Sequence, residues 1–129
     1  MLVVVSCSDA QLGSLEQLAK GASLYHTNCS NCHQKDGSGL EGLIPPLAAT
    51  DYLPANKNDL PCIIQNGLSG DIIVNGKKYK LAMPANKSLS NKDIANITAY
   101  IYKKFLKEDE FFSDTAMSIK LKNCVKKLS

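Results

Sequence analysis

Residues 29–33 read Cys29-Ser30-Asn31-Cys32-His33, and the rest of the chain is best understood around this pentapeptide. Two thiols at this spacing, with a histidine directly after the second, form the C-x-x-C-H attachment signature of a c-type haem. Cys29 and Cys32 match the two vinyl groups of one haem, which they would hold through thioethers, and His33 could then turn its imidazole onto the iron. Taken alone, the same five residues also suit a redox dithiol or half of a zinc site. The sequence on either side has to separate these readings.

Upstream, residues 14–28 predict a helix that delivers the pentapeptide at its C-terminal end. Ser14 and Gln17 have the spacing of a capping box. Leu15, Leu18, Ala22 and Tyr25 recur at helical intervals and predict its apolar face. Gly21 lies in the middle, where glycine costs up to about 1 kcal/mol. Such a glycine marks a place where another backbone or ring comes close. Further upstream, Val4-Val5-Ser6-Cys7 reads as a lipobox, which would put a lipid on Cys7 and make residues 1–13 a lipoprotein-signal remnant and tether. Residues 1–6 lack the basic start and the longer apolar run of a usual signal. The plainer reading is a short strand or tail with a free thiol.

Downstream, a turn-rich loop leads to Leu43-Ile44-Pro45-Pro46-Leu47. Apolar residues around a double proline predict a rigid wall beside a planar ligand, with Pro46 in contact with it. A carbonyl freed by the prolines is expected to accept from Nδ1–H of His33 and fix its tautomer. Residues 58–65 predict a short helix with Asn58 or Asp59 near its cap, stopped by Asn66-Gly67. Residues 71–81 predict a hairpin about Asn75-Gly76, read as a surface flap. A second strong helix is expected from Ser90, with Asp93 three residues on and Ile94, Ile97, Tyr100, Ile101 and Phe105 on its apolar face. Residues 113–128 predict a weaker helix or irregular tail.

A haem that transfers electrons needs a sixth, strong-field ligand, and methionine raises its potential relative to a second histidine. The chain has three methionines and two histidines. Met1 is terminal and Met117 falls in the weak tail. Met83, followed by Pro84, stands in a loop fifty residues after His33. It is the expected ligand, although a lone methionine is otherwise core filler. The rival, His26, precedes Cys29 on the same helix and is expected on the attachment side or at the surface. If Cys7 is lipidated, Cys62 and Cys124 make an even pair in an oxidising compartment and can form a disulfide; the alternative is two buried free thiols.

With 129 residues and 44% hydrophobic content, the chain has the size of one domain, and no tract is long enough to span a bilayer. The net charge is +3, and all fifteen basic residues are lysines. The lack of arginine speaks against phosphate or nucleic-acid recognition. Lysines suit transient encounters with redox partner proteins that present an acidic docking face, or simply a solvated surface.

The chain resembles the class I bacterial cytochromes c, monohaem proteins with His/Met ligation, over residues 19–105. Gly21, Tyr25, Cys29, Cys32, His33, Gly37 and Gly39 follow that family's G-x-x-x-Y-x-x-x-C-x-x-C-H-x-x-x-G-x-G pattern. The double proline, Met83-Pro84, and Leu89-Ser90 running into Ile94, Ile97, Tyr100 and Ile101 follow its later landmarks. Asn66-Gly67-Leu68-Ser69-Gly70 and the hairpin before Met83 look like a subgroup often attached to, or encoded beside, respiratory or periplasmic oxidoreductases. The resemblance implies a mainly α cytochrome c fold, with N- and C-terminal helices crossing around one haem and a small β-hairpin added. It implies that Gly21 and Tyr25 meet Tyr100. It also implies a cytochrome domain over 14–107, leaving 108–129 as a C-terminal extension packed on it.

The leading functional expectation is a one-electron carrier with covalent haem c and its iron held by His33 and Met83. It would work outside the cytoplasm, on the periplasmic side, lipid-anchored to a membrane, as a monomer or as a subunit of a larger complex. The first alternative is the haem subunit or domain of an oxidoreductase, or a five-coordinate haem sensor of a small molecule, which Met83 argues against. The second is a haem-free dithiol or zinc protein. A zinc site needs further ligands, and no second C-x-x-C is present.

Overall fold

A computed structural model describes residues 9–124. Cys7, the expected lipid site, lies outside them, as do residues 125–128 at the end of the expected tail helix. Six α-helices and one two-stranded sheet follow in the order α1 (Asp9–Asn28), α2 (Ser30–His33), α3 (Tyr52–Ala55), α4 (Leu60–Asn66), β1 (Ile72–Val74), β2 (Lys77–Tyr79), α5 (Asn91–Ile101) and α6 (Asp114–Lys122).

Helix α1 begins five residues before Ser14. The helix runs through Gly13 despite its cost of about 1 kcal/mol, with no proline to stop it, so Ser14 and Gln17 lie inside the helix and do not form the expected capping box. The apolar face is also displaced. Leu15 is 61% exposed, whereas Gln17, Gly21 and Tyr25, spaced one turn apart, point inward. The buried amide of Gln17 is fully used. Its Nε2 donates to the Phe112 carbonyl at 2.9 Å and to Oδ1 of Asn96 at 3.3 Å, while its Oε1 accepts from Phe112 N–H at 2.9 Å.

Helix α5 begins as its sequence dictates. Ser90 Oγ accepts from Asp93 N–H, and the Asp93 carboxylate accepts from Ser90 N–H, each at 3.0 Å. Ile94, Ile97 and Ile101 are buried along one face. Complete burial of each contributes about 1.5–3 kcal/mol. The helix continues as a wider π-helical turn over Tyr102–Leu106 and ends at Lys107 in the left-handed region. Gly21 explains how α1 and α5 come so close: a Cβ there would overlap the Asn96 carbonyl oxygen and the Tyr100 Cβ. The Tyr25 ring then lies 5.4 Å from that of Tyr100 and 5.8 Å from that of Phe105.

The chain after α5 is part of the core. Phe112 meets Tyr102 edge-on at 5.6 Å, and Met117 is completely buried. Ser113 caps α6 by accepting from Ala116 N–H. A disulfide joins Cys62 on α4 to Cys124 just after α6.

The hairpin forms where Asn75-Gly76 places it, with Ile72 paired to Tyr79 and Val74 to Lys77. Positive φ at both turn residues matches the tight hairpin turn these residues favour. It is not a surface flap. Val74 and Tyr79 are buried, and the turn is fastened to the loop before α3. Asp51 N–H donates to Asn75 Oδ1 at 3.0 Å, and Asn75 N–H donates to Asp51 Oδ1 at 2.8 Å.

Candidate haem-binding site

The fold surrounds a cavity of about 280 Å³, many times the volume that one buried water occupies. Its wall is overwhelmingly apolar and draws on segments spread along the chain from Asn28 to Asn86, with Ile101 added from α5. Cys29, Cys32, His33, Pro46 and Met83 all line it. His26 is exposed and does not line it, and Met117 is core.

Cys29 and Cys32 are free thiols, Cys29 half-buried and Cys32 exposed. The short helix α2 carries Cys32 and His33 round from the end of α1, with His33 N–H bonded to the Cys29 carbonyl at 2.9 Å. Burial pushes the Cys29 thiol up to about 11, and the neighbouring Cys32 adds to the shift. The raised pKa favours Cys29 as a thiol held at the edge of an apolar cavity over a reactive thiolate. Ser30 also takes part: it is buried and donates to the His26 carbonyl at 2.5 Å, closing the turn between the helices.

His33 is 9% exposed, and its Nδ1 lies 3.1 Å from the Pro45 carbonyl oxygen. A carbonyl only accepts, so the proton must be on Nδ1, leaving the lone pair of Nε2 unprotonated. Burial lowers the pKa of His33, and the Pro45 bond opposes the shift. The outcome is a neutral imidazole of fixed tautomer, the form in which histidine binds a metal. The carbonyl used is that of Pro45, and Pro46 forms part of the wall.

Met83 is pinned by its backbone. Its N–H donates to the Leu68 carbonyl at 2.9 Å, and Leu68 N–H donates to the Met83 carbonyl at 3.0 Å. Gly67 makes this possible, because a Cβ on it would overlap the Met83 carbonyl oxygen and its φ of +76° suits glycine. The hairpin supplies Ile72, Val74 and Tyr79 to the wall, and the segment around α3 and α4 supplies Tyr52, Asn56, Leu60 and Ile64. The sequence marked Gly67 as a helix stop and, with Leu68, as part of the subgroup pattern before the hairpin, but nothing local marked Leu68, Asn56 or Asn86 as cavity residues.

The donors fit haem better than zinc. Among the described residues no group of three His, Cys, Asp or Glu side chains could hold a metal ion. A zinc ion held by protein alone needs four ligands in a structural site. The cavity instead presents two thiols, one imidazole nitrogen and one thioether around an apolar space, the set a planar iron macrocycle requires.

Residues 16–101 match the family described as "Cytochrome C oxidase, cbb3-type, subunit III". Cytochrome c-552 of Thermus thermophilus is 34% identical over 87 residues, 64% of this chain and 66% of that protein. The cytochrome c subunit of a quinone alcohol dehydrogenase of Gluconobacter oxydans is 33% identical over 87 residues, 64% of this chain and 18% of the subunit. The fructose dehydrogenase cytochrome subunit of Gluconobacter japonicus is 31% identical over 100 residues, 71% of this chain and 20% of that protein. The chain thus spans a little under two thirds of the cytochrome c-552 and about a fifth of the two subunits.

Proposed function

The chain belongs to the cytochrome c family, and on that premise we propose that it is a class I, monohaem one-electron carrier with His33 and Met83 as axial ligands. The observation that carries this reading is the convergence of Cys29, Cys32, His33 and Met83 on one apolar cavity. The haem supplies the one-electron Fe(II)/Fe(III) couple. The protein's own residues supply everything else. Cys29 and Cys32 hold the macrocycle covalently, so it stays bound outside the reducing cytoplasm. Burial keeps His33 neutral, and the Pro45 carbonyl, accepting from Nδ1–H, orients the ring with Nε2 free for the metal. Pro46, Leu53, Ile64 and Val74 exclude water and lower the local dielectric, which tunes the potential. Met83 fills the remaining ligand position, which favours electron transfer over binding of a small molecule.

The named relatives include dehydrogenase cytochrome subunits, so the carrier works either between separate redox proteins or as the cytochrome subunit of an oxidoreductase. It is not itself the catalyst. Exposed Lys35 and Lys80 adjoin the cavity segments and suit an acidic partner face, reached by electrostatic steering. The proposed location is extracytoplasmic, with a lipid on Cys7 holding the domain at a membrane. Among the described residues no helix is long and apolar enough to cross one. The cytochrome domain is proposed to run over 14–107, with 108–129 as an extension fastened by Gln17 and the Cys62–Cys124 disulfide. The direct test is the mass of the protein matured in cells that attach haem c. One added haem that survives denaturation supports the reading, and an unmodified mass overturns it.

A further inference from the structure

The loop carrying Met83 runs along the cavity, with Leu81, Ala82 and Pro84 in its lining and Ala85 exposed beyond it. Pro84 has no N–H to donate. On the upstream side Met83 is fixed by the paired bonds to Leu68. On the downstream side the fastening is Asn86. Its side-chain Nδ2 donates to the Ile64 carbonyl at 2.9 Å, and its backbone N–H donates to the same oxygen at 3.2 Å.

Ile64 is in the last turn of α4, where carbonyls have no partner within the helix. A longer helix would give the Ile64 carbonyl the N–H of Leu68, but that donor is spent on Met83. Asn86 takes its place. The acceptor is a firm one, since Ile64 is 2% exposed and α4 is tied to α6 through Cys62. A third tie, Lys87 Nζ to Asn66 Oδ1 at 2.8 Å, lies in solvent and holds a flexible chain, so it contributes little.

We propose that Asn86 is a positioning residue for Met83, whose amide clamps the downstream limb of the loop to the end of α4 and so keeps the thioether on the metal. This rests on the reading of Met83 as an axial ligand. Asn86→Asp keeps the shape but removes the donor, and Asn86→Ala removes the side chain. Both are compared as holoproteins with the wild type and with Lys87→Ala. The readouts are the far-red absorption band of iron–methionine bonding and the affinity of added imidazole for the oxidised protein. Imidazole must displace the methionine, so losing one net hydrogen bond should tighten its binding about tenfold. The band should weaken in both Asn86 variants, and Lys87→Ala should match the wild type.

If both Asn86 variants keep the wild-type band and imidazole affinity, the proposal is overturned. If the wild type itself lacks the band, the Met83 assignment fails instead, and the two failures are told apart. Hydrogen exchange in the wild-type holoprotein needs no variant. One Asn86 side-chain amide proton should exchange more slowly than those of exposed Asn91, and equal rates would overturn the clamp.

Discussion

At the scale of single residues, Gly21 and Tyr102 carry consequences that their neighbours do not. A side chain at Gly21 meets backbone, the Asn96 carbonyl, which cannot move without shifting α5. Gly21→Val is therefore expected to part α1 from α5 and cost about 1–3 kcal/mol, the usual range for overpacking. The midpoint of denaturant unfolding checks it. Burial raises the pKa of Tyr102, and Glu110 and Glu108 add to the rise. A phenol whose folded pKa is raised contributes stability that is intact below its unfolded value, about 10, and is lost as pH climbs through the folded value. Tyr102→Phe removes the hydroxyl that donates to the Lys57 carbonyl at 2.5 Å. It should cost about 1 kcal/mol near neutral pH. The gap to the wild type should narrow as the pH passes about 10, and unfolding midpoints measured at both pH values test this.

At the scale of elements, the decisive link is between α4 and the end of α6. The Cys62–Cys124 bond closes a loop with a sequence separation of 62 residues. In the chain-entropy model such a closure stabilises by about 4 kcal/mol. Cys62→Ser with Cys124→Ser should lower the thermal midpoint of the holoprotein markedly while leaving its haem attached; an unchanged midpoint would remove the extension from the stability of the fold. Elements whose signals are local were legible in the sequence. Asn75-Gly76 sets its own turn, Ser90 and Asp93 complete their own cap, and the pentapeptide holds its own chemistry. What escaped depends on distance. Gln17 looked like a capping residue because its true partner, Phe112, is 95 residues away. The hairpin looked marginal because the cavity that buries Val74 and Tyr79 is built by other segments.

At the scale of the whole molecule, the fold is a set of walls for an apolar cavity, and beside the paired Met83–Leu68 bonds two carbonyls fasten it. Pro45 holds His33 on one side, and Ile64 holds Asn86 on the other. If, as proposed, the lysines outside steer an acidic partner, electron exchange with it should slow as salt is raised toward about 0.15 M, where the Debye length falls to about 8 Å. Stopped-flow rates at two ionic strengths measure this, and a rate indifferent to salt would leave the lysines as a solvated surface. The central claim is that His33 and Met83 share one haem iron. Its most direct test is the far-red spectrum of the oxidised holoprotein beside Met83→Ala. The account predicts a methionine–iron band in the wild type that vanishes in the variant while the covalent haem remains. A band absent from the wild type, or one that survives the substitution, would contradict it.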